Sequence, residues 1–321
     1  MNIRNALLAA VVAAAVLTGG CATSQPEIVV GPDVSYTEPP LPERAALAPT
    51  DVPIPPEPDC GDPTAGLRPD GATTGPALDA IRARGRLVVG LDTGSNLMSF
   101  RDPSTGRIAG FDVDIAREIA RDLLGSPDLL DFRILNSADR EQALQDSTVD
   151  IVAKTMTITC ARRERVDFST VYFVAQQRVL VVQGSDVRDV ADLAGRRVCV
   201  VRGTTSLMRL RQLQPSAAIL TVPSWADCLV VLQQRQVDAV STDDTILAGL
   251  ASQDPYLELV GAPIGTEPYG IGIAQGREDL VRFVNGTLER IRRDGTWTQI
   301  YNRWLTVLGP APAPPPPTYV D

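Results

Sequence analysis

Short apolar runs alternate with amphipathic stretches between residues 87 and 153, and that alternation leaves few folds open to this chain. Leu87-Val88-Val89-Gly90-Leu91 ends at Asp92-Thr93-Gly94, which predicts a strand feeding a loop. After a turn-rich stretch, Phe111, Ile115, Ile119 and Leu123 recur every four residues, which predicts a helix with one apolar face. Asp112 and Asp114 fall in its first turn, where negative charge suits the macrodipole. Phe132–Leu135 reads as the next strand, Arg140–Leu144 as the start of the next helix, and Val149–Ala153 as a third strand. Such alternation over about 65 residues argues for a parallel sheet.

The plan recurs. Val198–Val201 reads as a strand ending at Arg202-Gly203-Thr204-Thr205-Ser206, followed by a strand at Ile219–Val222, a helix at Asp227–Gln234 and a strand at Val237–Ser241. Residues 143–155 (ALQDSTVDIVAKT) and 231–243 (VLQQRQVDAVSTD) share Leu, Gln, Val, Asp and Val in register. Helix–strand units share composition, so chance accounts for this match as readily as a repeat does. Its use is geometric: Thr155 and Asp243 fall at equivalent strand ends. Ligands of open α/β sheets sit outside the carboxyl ends of the strands, so two such halves facing each other would form one cleft. Further on, Leu280, Phe283, Val284, Leu288 and Ile291 make the apolar face of a helix that Asp294-Gly295 breaks. Trp297–Leu305 reads as a last short helix, whose Trp297, Tyr301 and Trp304 stripe suits core packing.

The segment Ile151–Tyr172, IVAKTMTITCARRERVDFSTVY, departs from this regularity. It opens as a strand, breaks into a polar run with three threonines, and delivers Arg162. Backbone N–H groups, hydroxyls and a guanidinium gathered at a strand end suit a carboxylate. Lys154, the only lysine among thirty basic residues, lies inside it.

Composition excludes several functions. The net charge is −9 and the basic residues form no stripe, so nucleic acid is not an expected partner. The chain has no histidine, which excludes Ser-His-Asp and Cys-His catalysis and any His-ligated metal. No metal site, cofactor or catalytic group is expected. Arg4 followed by the apolar stretch Ala6–Leu17 reads as an export signal, residues 1–20, too short to span a membrane comfortably. Leu17-Thr18-Gly19-Gly20-Cys21 resembles a bacterial lipobox, although Thr18 stands where leucine is usual. The expectation is an exported chain held to the outer face of the cell membrane by lipid at Cys21, with an ordinary cleaved signal as the alternative. No later apolar run is long enough to span. Residues 22–76 hold thirteen prolines and little periodicity, so 21–76 reads as a lipidated cysteine and a semi-rigid stalk, and 309–321 as a Pro-rich tail. Of five cysteines, Cys60, Cys160, Cys199 and Cys228 remain once Cys21 is set aside. Outside the cytoplasm four suggest two disulfides, with three possible pairings. Cys199–Cys228, both in the second half, is favoured, which leaves Cys60–Cys160; free buried thiols are the alternative.

Seven stretches now carry a resemblance: LVVGLD, GFDVDIAREIA, VDIVAKTMTITCARRERVDFS, DLAGRRVCVVRGTTS, VDAVSTDD, PYGIGIAQG and IRRDGTWTQIYNRW. In this order, across nearly all of 85–305, they resemble the type II solute-binding proteins for amino acids, the family of the glutamine- and glutamate-binding lipoproteins of ABC importers. The resemblance implies an α/β, two-lobed periplasmic-binding-protein-like type II fold, with two open α/β sheets joined by crossing hinge segments near Ala175–Val181 and Glu267–Ile273. Lobe 1 would comprise 77–176 plus 268–308 and lobe 2 would comprise 177–267. A small-molecule amino acid would sit between the lobes, which close by hinge bending.

Matched position by position, the resemblance gives Arg162 the ligand α-carboxylate, Thr157 a part in holding the same ligand backbone, Thr155 a first-lobe ligand contact, and Asp243 the α-ammonium. Thr205 and Ser206 lie in the second-lobe loop, and Asp92 near the ligand side chain. Arg163 and Arg165 read as surface charges, Asp167 and Asp244 as structural. Glutamine receptors place aromatic residues where this chain has Ser95 and Ser137. In exchange Arg140, Lys154 and Arg202 are cations near the ligand, with surface salt bridges the alternative for each. A buried ligand carboxylate needs a paired cation, so glutamate or aspartate is expected, with asparagine and glutamine weaker. The expected protein is a monomeric, non-enzymatic receptor, partnered by the permease of an ABC importer or by a transmembrane sensor. A dehydratase or peptidoglycan lyase on the same fold would need a catalytic carboxylate in the cleft. Asp243 is better explained as the ammonium partner, and Glu267 reads as a hinge residue.

Overall fold

Every side chain of Leu87–Leu91 is buried, as a strand covered on both faces requires, and the rest of the architecture is built around such strands. The computed structural model describes residues 38–49 and 53–320; the export signal and Cys21 lie outside them. The chain divides into units Met1–Pro40 and Leu41–Asp321. Of the first, residues 38–40 are described and are irregular; everything below concerns the second.

Two large sheets are formed by β1 (Ala46–Leu47), β2 (Leu87–Leu91), β3 (Leu130–Ile134), β4 (Ile151–Val152), β5 (Val166–Phe168), β6 (Phe173–Val182), β7 (Arg197–Val201), β8 (Ala218–Val222), β9 (Ala239–Asp243), β10 (Leu257–Tyr269) and β11 (Gly272–Ala274). The helices are α1 (Pro76–Arg84), α2 (Phe111–Leu124), α3 (Arg140–Gln145), α4 (Cys160–Arg163), α5 (Thr205–Leu213), α6 (Trp225–Gln233), α7 (Asp244–Ala251), α8 (Glu278–Arg293) and α9 (Thr296–Trp304). The five-stranded sheet runs β3-β2-β4-β11-β5 and the six-stranded sheet runs β1-β8-β7-β9-β6-β10. Each has a parallel core, β3-β2-β4 in one and β8-β7-β9 in the other. Helix–strand alternation therefore produced a parallel core in each sheet, to which antiparallel strands add to make the sheets mixed.

Each lobe has its own core, and lobe 1 has a second cluster on the other face of its sheet, around Val88, Leu144, Val152 and Phe168. Leu87, Val89, Leu91, Phe111, Ile115 and Ile119 belong to the lobe 1 core, and Val198, Val200, Val222, Leu232 and Val240 to the lobe 2 core. The joining strands belong to both. In β6, Phe173 and Ala175 pack into the first core while Val179, Leu180 and Val181 pack into the second. Antiparallel β10 returns alongside, pairing Leu257 with Val182 and Tyr269 with Phe173. These are the two crossing segments. The C-terminal stripe is core, as read: Trp297 and Tyr301 are buried with ring centroids 5.6 Å apart, and the Trp297 indole donates to the Tyr172 carbonyl at 2.8 Å.

Among the described residues, parts of the Pro-rich ends find partners on the body. β1 adds antiparallel to the edge strand β8 of lobe 2. Further along, the Glu57 carboxylate accepts from the Ala161 amide at 3.0 Å and Cys60 is bonded to Cys160. Arg163, read as a surface charge, donates to the carbonyls of Pro63 and Ala65. Gly66 pairs with Tyr319 of the tail, whose ring lies 4.4 Å beneath the Arg68 guanidinium. Both disulfides are the expected ones, Cys60–Cys160 and Cys199–Cys228, each with Cα atoms 5.5 Å apart. Among the described residues no helix is long and apolar enough to cross a membrane.

Candidate ligand-binding cleft

Thr159 caps the short helix α4, its hydroxyl accepting from the Arg162 amide at 3.2 Å. This cap aims the Arg162 side chain along the cleft. Its guanidinium donates to the Thr157 carbonyl at 2.6 Å and the Gly203 carbonyl at 3.2 Å, and its Nε lies 3.5 Å from a Glu141 oxygen. Arg140, at the start of α3, donates to the carbonyls of Ser137, Lys154, Thr155 and Gly203. Two guanidiniums of lobe 1 thus converge on one carbonyl of lobe 2. Gly203 permits this approach: its φ is +72°, and a Cβ there would lie 2.5 Å from the Ala138 Cα. Burial, and next the charge of Arg162, pushes the Arg140 guanidinium down to about 9.

Opposite lies Asp243, at the end of β9 and the start of α7. It accepts from the Tyr269 hydroxyl at 2.5 Å and from the Ser206 hydroxyl at 3.4 Å. Burial, then the nearby Glu267 carboxylate, pushes Asp243 up to about 8 against the Tyr269 hydrogen bond. Between the two walls is a small cavity of about 10 Å³, roughly the room one water needs. Ser137, Arg140, Thr155, Thr157 and Arg162 line it from lobe 1; Thr204, Thr205, Ser206, Trp225, Thr242, Asp243 and Ile246 line it from lobe 2. An amino acid would require the lobes to part and re-close around it.

The match to the family model for bacterial extracellular solute-binding proteins, family 3, spans residues 87–307. The chain belongs to this family. Among curated relatives, the ABC transporter glutamine-binding protein of Bacillus subtilis is 38% identical over 229 residues, which is 71% of this chain and 84% of that one. A glutamate-binding protein of Corynebacterium efficiens is 31% identical over 244 residues, 72% of this chain and 81% of that one. Among solved structures, an ancestral arginine-binding protein bound to glutamine superposes with a TM-score of 0.66 at 33% identity, covering 69% of this chain and 98% of its own. An ancestral amino acid-binding protein, a precursor of cyclohexadienyl dehydratase, gives 0.66 at 32% identity, covering 71% and 99%.

Within this family-3 cleft, seven expected residues line the cavity: Arg162, Thr157, Thr155, Asp243, Thr205, Ser206 and Arg140. Lys154, Asp92 and Arg202 are not among the lining residues. Lys154 and Asp92 pair with each other at 2.7 Å. Arg202 is half-buried, its backbone amide bonded to Val222 O. Ser137, Thr204, Trp225, Thr242 and Ile246 line the cavity without having been assigned a ligand contact. Trp225 supplies an aromatic wall from lobe 2 where Ser95 and Ser137 supply none from lobe 1; its one sequence signal was the Ser224-Trp-Ala-Asp227 helix start, now a capping box. Asp112 lies in the first turn of α2, as expected, and has a further part there. It is fully buried and accepts from the Thr155 amide at 2.9 Å and the Tyr172 hydroxyl at 2.6 Å. Thr155 carries φ +40°, a conformation unfavourable for a β-branched residue, and Asp112 holds it there. Burial is the main cause that raises Asp112 to about 7.

Proposed function

We propose that this chain is an extracytoplasmic, lipid-anchored receptor that closes its two lobes on an amino acid and delivers it to the membrane permease of an ABC importer. The observation that carries the reading is the opposition of Arg162 and Asp243 across one cavity, which matches a carboxylate and an ammonium on one ligand. The names of the glutamine- and glutamate-binding relatives support it.

The preferred ligand is glutamate or aspartate. Among the residues that line the cavity, two arginines, Arg140 and Arg162, face one carboxylate, Asp243. An α-carboxylate and α-ammonium use Arg162 and Asp243, and a side-chain carboxylate would use Arg140, whose described hydrogen bonds go to neutral carbonyls. Pairing satisfies a buried charge that a neutral amide would leave uncompensated. A thermal-shift screen against the twenty amino acids tests this, since a ligand that binds only the native state raises the melting temperature. Glutamate should raise it most, with glutamine the critical comparison. A response confined to basic or apolar amino acids would overturn the assignment.

A further inference from the structure

Glu267 lies on the return hinge strand β10 and is fully buried. One of its oxygens, Oε2, accepts from two hydroxyls at once: Thr157 of lobe 1 at 2.7 Å and Thr205 of lobe 2 at 2.6 Å. The other, Oε1, faces the Arg209 guanidinium at 3.2 Å. That guanidinium passes over Gly265, where a Cβ would lie 2.2 Å from the Arg209 Nε. The bulge between Val260 and Gly265 brings this bare backbone beneath it.

A threonine hydroxyl has one hydrogen to donate and lone pairs with which to accept. Thr157 and Thr205 both commit that hydrogen to Glu267, so what they offer the cavity they line is lone pairs. Their oxygens are 3.4 Å apart, and Asp243 lines the same cavity. The result is a face of acceptors and a face of arginine donors in one cavity. An ammonium group, with three hydrogens and no lone pair, suits the first face; a carboxylate suits the second. Without Glu267 the hydroxyls are free to rotate and donate, and the face loses its sign.

We infer that Glu267 is a positioning residue: it orients the Thr157 and Thr205 hydroxyls as acceptors and thereby fixes where in the cavity the ammonium end of the amino acid goes. Because one oxygen joins hydroxyls of both lobes, the oriented pair exists only when the lobes are together, which ties ammonium recognition to closure. This inference rests on the amino-acid receptor reading.

Calorimetry on the full chain with glutamate, glutamine and glutarate, which is glutamate without its ammonium, tests it. Glu267→Gln should bind glutamate about 10- to 100-fold more weakly, the loss expected for hydrogen bonds to a charged group, with little change for glutarate. Thr205→Val should behave the same way and Thr205→Ser should restore binding. That valine/serine pair decides the matter if Glu267→Gln does not fold or glutarate is too weak to measure. Equal losses for glutamate and glutarate would make Glu267 a structural residue only. Unchanged glutamate binding in Glu267→Gln and in Thr205→Val would sink the inference and leave the receptor reading standing. A wild-type protein that binds no amino acid would overturn the receptor reading and the inference with it.

Discussion

Lys154 Nζ lies 2.7 Å from Asp92 Oδ2, with both side chains buried, so the one lysine of the chain is committed to an internal ion pair. Ser137 accepts from the same ammonium at 3.1 Å, and the Ser95 and Ser99 hydroxyls donate to Asp92 at 3.1 and 2.9 Å. Burial lowers the lysine's affinity for its proton and Asp92 offsets this. The small residues that replace an aromatic sandwich are thus the polar bed of an ion pair.

Removing one partner of a buried pair strands the other and costs about 3–5 kcal/mol. Lys154→Met should therefore lower stability in urea unfolding by that order, and adding Asp92→Asn should recover most of it. Glutamate affinity should fall less than stability does. The reverse order would return Lys154 to the ligand.

The two cavity arginines should fail differently. Arg162→Ala should cost roughly 2–5 kcal/mol of ligand binding by stranding the α-carboxylate. Arg162→Lys should restore little, because an ammonium cannot reproduce the guanidinium fork. Arg140→Gln should weaken glutamate while sparing glutamine, erasing the preference between them. Calorimetry with both ligands reads each case, and a glutamate preference that survives Arg140→Gln would assign the side-chain carboxylate elsewhere.

Much of this was legible in the sequence for a physical reason: strands and helices that bury one face must repeat with their own period. Leu87–Leu91 and the Phe111–Leu123 face follow from that alone. The Arg162, Thr157 and Asp243 constellation came from resemblance, since a local pattern does not encode which loops meet across a cleft. Period likewise identified the apolar face of α2 but not the fate of Asp112, which is settled by Thr155 and Tyr172 arriving from far along the chain. The Pro-rich arm has too few apolar residues for a core of its own, and composition shows that. Its docking rests on backbone hydrogen bonds and a disulfide, which composition does not report.

Asp243 should make binding pH-dependent. Its folded value of about 8 lies above the ordinary 3.8, so between those limits the native state holds a proton that the unfolded chain has lost. Its contribution to stability is full below about 4, falls as pH rises and levels off above about 8. An incoming ammonium requires the carboxylate form. Ligand binding near neutral pH should then expel a proton, and affinity should rise as pH climbs from about 6 to 8. Calorimetric enthalpies should differ between phosphate and Tris by an amount proportional to the protons released. Asp243→Asn should abolish that difference. Buffer-independent enthalpies in the wild type would mean that Asp243 is ionised before ligand arrives.

The N-terminal arm joins the lobes a third time. Ala48 donates to Ile219 O of lobe 2 at 2.8 Å, while Glu57 and Cys60 fasten the same arm to α4, the helix that carries Arg162. Chain entropy alone ranks the two disulfides. Cys60–Cys160 closes a separation of 100 residues and Cys199–Cys228 one of 29, for which loop closure gives about 4.7 and 3.6 kcal/mol. Cys60→Ser/Cys160→Ser should therefore lower the melting temperature more than Cys199→Ser/Cys228→Ser. Freeing the arm should also loosen closure, so the first variant alone should release ligand faster in stopped-flow chase. If the second variant is the less stable one and release is unchanged in the first, the arm neither restrains the lobes nor supports α4.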